Sequence, residues 1–169
     1  MKPSSRHLLV IAAGCLVLCS PLLAQVQLSK TVRAAQDSFI EGYVRRDTTC
    51  KPLDPPQLVI EQPPEHGIVC YKLADVLTQK PIGNNYTQCL GKKISGIHVR
   101  YLARGGYTGP DHVLYIVVFP DVRHKVEVNL NVLPAKPNSS VNVPADISEP
   151  ADEKPQLSGP MPSCTVLVS

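Results

Sequence analysis

The sequence predicts an all-β fold, a small antiparallel β-sandwich, on three observations. Residues 125–132 alternate strictly, with Val126, Val128, Leu130 and Val132 on one side and Lys125, Glu127, Asn129 and Asn131 on the other. That period of two puts four aliphatic side chains toward a core and four polar ones toward water. Ile97, Val99 and Tyr101 alternate with His98 and Arg100 in the same way. Between them, Val113, Leu114, Tyr115, Ile116, Val117, Val118 and Phe119 form an unbroken apolar run. Its β-branched content favours a central strand covered on both faces over a buried helix.

The other elements are read around these strands. Residues 1–24 carry the marks of an export signal: Lys2 and Arg6, an apolar stretch over 8–18, a break at Ser20-Pro21, and Leu22-Leu23-Ala24 before Gln25. The apolar stretch is about half the roughly 20 residues a membrane helix needs. Ala12-Ala13-Gly14-Cys15 resembles a lipobox, but the apolar run continues past Cys15, so lipidation is the lesser reading. Residues 25–49 place Val32, Ala35, Phe39, Ile40 and Tyr43 at helical spacing, which predicts a short amphipathic helix docked on the sandwich. Residues 50–133 form the predicted β-sandwich domain. Leu58, Val59 and Ile60, flanked by proline pairs, read as an edge strand, and residues 67–71 as a second strand. Residues 72–88 form a connection with room for one helical turn and a turn signal at Pro81-Ile82-Gly83-Asn84-Asn85. Arg104-Gly105-Gly106 turns the chain again.

Residues 134–163 differ in kind. Seven prolines among polar and acidic residues cannot bury enough apolar surface to offset chain entropy, so a disordered, polyproline-like tail is expected. Residues 164–169 close the chain with a β-prone run, Cys164-Thr165-Val166-Leu167-Val168.

Charge and cysteine use limit the function. The chain has 17 Lys and Arg against 14 Asp and Glu, and loss of the signal leaves 15 cations. This near-neutral balance argues against a nucleic-acid binder, which would show a concentrated basic face. Cys15 and Cys19 leave with the signal, so Cys50, Cys70, Cys89 and Cys164 remain. Four cysteines in an exported domain predict two disulfides with three possible connectivities. A bridge joining Cys70 with Cys89, and with it one joining Cys50 with Cys164, is the favoured pairing. No pair has the Cys-x-x-Cys spacing of a zinc site.

Two segments carry a family pattern. The first is Pro64-Glu65-His66-Gly67-Ile68-Val69, and the second runs Gly106-Tyr107-Thr108-Gly109-Pro110-Asp111-His112-Val113-Leu114-Tyr115, with Val99-Arg100-Tyr101 between them. Together they resemble the bacterial cadherin-like and immunoglobulin-like modules of exported proteins, here in a single copy. The resemblance implies a small β-sandwich that binds or spaces other molecules. Within it, Gly106 and Gly109 permit tight turns. Asp111 accepts hydrogen bonds from turn amides, and Tyr115 is a core residue whose hydroxyl needs a partner. His66, Gly67 and Tyr107 complete the turn and core motif.

The chemistry readings are spare. Calcium needs six to eight oxygens, whereas Asp54, Asp111 and Asp121 are isolated and Asp146, Glu149, Asp152 and Glu153 lie in the tail. His66, His98, His112 and His124 show no ligand or catalytic spacing, and no nucleophile elbow, zinc helix or phosphate loop is present. No cofactor or metal site is expected. The expected function is non-catalytic binding of an envelope or extracellular protein, periplasmic or secreted, with residues 58–60 as the edge that would accept a partner strand. Two alternatives stand beside it. One is a carbohydrate-binding accessory module using Tyr86 and Tyr107, and the other a small periplasmic enzyme built from histidines.

Overall fold

The computed structural model describes residues 25–79, 87–136 and 156–164. Eight strands form in chain order: β1 (Gln25–Arg33), β2 (Ser38–Tyr43), β3 (Gln57–Gln62), β4 (Gly67–Leu77), β5 (Lys93–Ala103), β6 (Gly109–Val118), β7 (Arg123–Leu133) and β8 (Gly159–Pro160). Among the described residues a 3-10 turn spans Thr87–Cys89.

Two sheets result, ordered β1-β7-β6-β3-β8 and β2-β5-β4. Consecutive hairpins set most of the register: β6 meets β7 from Gly109 opposite Val132 to Val118 opposite Arg123. β4 meets β5 from Gly67 opposite Ala103 to Leu77 opposite Lys93. β1 instead runs parallel to β7, from Gln25 beside Lys125 to Arg33 beside Leu133. The alternating strands turn their apolar faces inward, as their period of two requires. Ile40, Val69, Val99 and Tyr101 from one sheet and Ile60, Val113, Tyr115, Val126 and Val128 from the other share one core. A smaller cluster of Val44, Cys89 and Ile94 packs at the far end of the β4–β5 hairpin.

The predicted strands at 97–101, 112–119 and 125–132 form where expected. The predicted N-terminal helix does not, and residues 25–49 hold strands β1 and β2 instead. Val32 and Ile40 enter the core while Phe39 stays 45% exposed, a division that one helical face would not produce. Ala35, at φ 54°, turns the chain between the two strands. The two sheets therefore take in residues 25–43 as well as the predicted domain of residues 50–133. The second strand also runs on through residues 72–77, which were expected to be connection.

The tail expectation is corrected in its last part. Residues 156–164 are seated on the sandwich, with Met161 only 4% exposed and β8 paired to β3. The signal segment 1–24, the turn signal at 81–85 with Tyr86, most of the proline-rich stretch and residues 165–169 lie outside the described residues.

Candidate binding edges

The turn motif assembles into one latch. Asp111, 8% exposed, accepts the backbone N–H of Glu65 at 3.0 Å and of His66 at 3.1 Å. It also accepts the N–H of His112 at 2.8 Å and the Tyr101 hydroxyl at 2.7 Å. One carboxylate thereby fastens the β3–β4 turn to β6 and β5. Gly67 is required beside it, because a Cβ there would enter the buried Tyr101 ring. Gly106, at φ 72°, and Gly109, at φ 129°, make the turn before β6. His66 stacks on Tyr107 with ring centroids 3.8 Å apart, and the Tyr107 hydroxyl donates to the Pro110 carbonyl. The Tyr115 hydroxyl meets that of Tyr43 at 2.8 Å across the two sheets.

Three of these tyrosines are held in their neutral form. Burial pushes the Tyr43, Tyr101 and Tyr115 phenols well above their ordinary range, and the Asp111 carboxylate adds to the effect at Tyr101. A raised folded-state value means that stability is fully present below the unfolded tyrosine value and lost as pH rises above it. Unfolded tyrosine titrates near pH 10. Above that point each phenol should therefore remove about 1.4 kcal/mol per pH unit. Denaturant midpoints at pH 9, 10 and 11 should fall steeply over the last step, and Tyr43→Phe should make that fall shallower. A midpoint unchanged between pH 10 and 11 would show that the phenols ionise freely in the folded protein.

The histidines occupy separate places. His98 packs edge-on to Phe39, His124 edge-on to Phe119, and His112 lies 3.2 Å from Glu127. Hydrogen bonds from Gln27 and Gln25 hold Glu127 below the usual carboxylate range, with a smaller contribution from His112. Among the described residues no three His, Cys, Asp or Glu side chains gather as a metal site would require. No helix among them is long and apolar enough to cross a membrane.

The edge expected at Leu58, Val59 and Ile60 is not open. Val59 and Ile60 pair with Pro160 and Gly159, and the Met161 N–H donates to the Leu58 carbonyl at 2.9 Å. The same C-terminal segment then crosses to the other sheet. The Gln156 side-chain amide donates to the Val69 carbonyl at 2.8 Å and accepts the Val69 N–H at 2.9 Å. The Tyr71 N–H donates to the Pro162 carbonyl at 3.0 Å, and the Cys164 N–H to the Tyr71 carbonyl at 2.8 Å. Residues 156–164 thus form a strap that joins β3 and β4 along one side of the sandwich.

Disulfides fix this arrangement with a pairing other than the favoured one: Cys50 joins Cys89, and Cys70 joins Cys164. Cys70 lies on β4 beside the strap, which places Cys164 and not Cys89 within reach. Cys89, in the 3-10 turn, closes instead on the loop that holds Cys50 in the small second cluster.

One stretch of edge remains. The backbone groups of Val69 and Tyr71 point away from β5, and strand geometry turns those of Leu73, Asp75 and Leu77 the same way. No described residue pairs with them. Leu73 is 67% and Leu77 46% exposed. Beside them, a cleft of about 390 Å³ is lined by Pro52, Leu53, Asp54, Pro55, Leu73, Ser95 and Gly96. Leu53 adds a third exposed apolar side chain, at 44%. The sequence reading missed this place by assigning residues 72–88 to a connection. Lys72-Leu73-Ala74-Asp75-Val76-Leu77 has no period of two, since Asp75 shares a face with the leucines and Val76 lies opposite, so no alternation marked the strand.

The chain matches no family model, no curated protein and no solved structure.

Proposed function

We propose that the protein is an exported, non-catalytic β-sandwich that binds an extended segment of an envelope or extracellular protein along the outer edge of β4. The observation that carries this reading is the use of β4 by the strap. At Tyr71 the edge accepts chain running parallel to it, and beyond Tyr71 the edge continues with exposed leucines and the adjoining cleft. Strand addition of this kind draws affinity from main-chain hydrogen bonds and specificity from alternate side chains. The partner segment is therefore extended, with apolar residues at alternate positions that cover Leu73, Leu77 and Leu53. Isolated exposed leucines need no explanation, but two lining one cleft, Leu53 and Leu73, with Leu77 exposed further along the same strand edge, do.

Export is supported by the basic-then-apolar start of the chain and by two disulfides, which persist in oxidising compartments. The cadherin-like or immunoglobulin-like reading is supported by topology. Strands β2, β5 and β4 share one sheet and β3, β6 and β7 the other, as the second, fifth and fourth strands and the third, sixth and seventh do in that fold. The Tyr107 ring is engaged by His66 on one face, and its hydroxyl is bonded to Pro110. That favours a role in the latch over one as a sugar platform.

A photo-crosslinking side chain at Leu53, placed in the native protein in intact cells, tests the reading. One saturable protein adduct is expected, mapped to an extended segment of the partner. Leu73→Lys with Leu77→Lys should weaken it about tenfold or more, the equivalent of 1.4 kcal/mol. An adduct that is unchanged by those substitutions, or equally strong from a crosslinker at Asn129 on β7, would sink the proposal.

A further inference from the structure

The strap is a poor strand for the site it fills. Pro160 and Pro162 have no N–H to give to either sheet edge. At Val69 the edge is met by a side chain, the Gln156 amide, where a strand would offer backbone. Ser158 likewise reaches the Glu61 carbonyl with its hydroxyl. Its firmest holds are the Met161 side chain, sunk into the shared core, and the covalent bond from Cys164 to Cys70. The strap is already joined to β7 through its own backbone, and the disulfide fixes its far end as well, so a sparse set of contacts suffices while the bond is intact.

From this we infer a second strand-accepting site, the seam between β3 and β4, which takes an extended polypeptide segment when the Cys70 to Cys164 bond is open. The inference rests on the binding reading above and adds both a site and its control. The ligand is a proline-free extended segment with a long unbranched apolar side chain in the slot of Met161. It satisfies Leu58 and Ile60 on one side and Val69 and Tyr71 on the other with backbone groups throughout. The bond opens by exchange with a dithiol. A thiolate of the dithiol attacks the sulfur of Cys164, the less buried partner, forming a mixed disulfide and releasing the Cys70 thiolate. The second thiol of the dithiol then displaces Cys164 and closes the reagent's own disulfide. The two protons leave the dithiol and end on Cys70 and Cys164, and the dithiol supplies both electrons.

Two synthetic peptides test this on the full chain. One has the sequence of residues 156–164 with Cys164→Ser, and the other adds Pro160→Thr and Pro162→Val. With Cys70→Ala and Cys164→Ala in the protein, the proline-free peptide should bind at least about tenfold tighter than the other. It should also protect the amides of residues 58–61 from hydrogen exchange. With the disulfide intact, its affinity should fall by at least about tenfold, because the strap then has two covalent attachments where the opened chain keeps only its backbone connection. A second variant, Met161→Ala with both disulfides kept, should recover part of that affinity without touching a cysteine. Equal binding to the intact and opened chains overturns the inference. So does an opened chain whose β4–β5 amides remain protected but which binds neither peptide. Failure here leaves crosslinking at Leu53 unaffected, so the two readings fall separately.

Discussion

Asp111→Ala is expected to destabilise the fold by about 3–5 kcal/mol, among the largest effects of any single substitution. The carboxylate accepts four donors from three parts of the chain. Bonds to an ionised group contribute about 1.5–3 kcal/mol each, and donors left buried without a partner cost about 1–3 kcal/mol. The sum is not additive, because Glu65 is an exposed residue and water can replace part of the lost bond at its amide. The Tyr101 hydroxyl has no such recourse, since its residue is fully buried. Tyr101→Phe should therefore cost less than Asp111→Ala. The double variant should show a coupling of about 1–2 kcal/mol, as expected for two groups in one network. Urea midpoints at constant slope give both quantities. A cost below about 1 kcal/mol for Asp111→Ala would mean that the latch is ornamental. The consequence reaches the binding edges, because the turn held by Asp111 is the corner from which β3 and β4 diverge toward the strap.

The strands that the sequence revealed are those with the strongest contrast between faces. Val126, Val128, Leu130 and Val132 are all buried, and the polar residues between them lie outside. β1 hides its period because it is an edge strand: within Gln25–Arg33 only Val32 is fully covered. The apolar residues that remained visible, Val32, Ala35, Phe39, Ile40 and Tyr43, straddle a turn at Ala35 and mimic a helical face. The turn motif was legible because each of its residues does a local job that its chemistry dictates. The seam was not, since it depends on two residues at long range. Met161 and Cys164 sit in a stretch whose average composition argues for no structure, and composition averages away two anchors. The disulfide pairing failed for a related reason. Sequence proximity favoured Cys70 with Cys89, but Cys70 lies near the open end of hairpin β4–β5 and Cys89 in the turn at its closed end.

The disulfides should separate into a structural one and a releasable one. Cys50→Ala with Cys89→Ala opens a loop of sequence separation 39, which the chain-entropy account values at about 4 kcal/mol. Cys89 is fully buried with Val44 and Ile94, so truncation also leaves a void there. Global unfolding should accordingly move to markedly lower denaturant. The bridge from Cys70 to Cys164 spans 94 residues and by the same account is worth about 4.7 kcal/mol. Its measured effect on the sandwich should nevertheless be smaller, because the strap can leave while both sheets keep their pairing. Hydrogen exchange would show the difference as a local opening. In the variant lacking Cys70 and Cys164, residues 58–60 should exchange at a free energy well below that of residues 97–101, whereas in the native chain both should approach the global value. Peptide mapping without reduction should first return Cys50 with Cys89 and Cys70 with Cys164. If both variants lose stability equally and residues 58–60 exchange together with β5, the strap is an integral strand and the seam does not open apart from the fold.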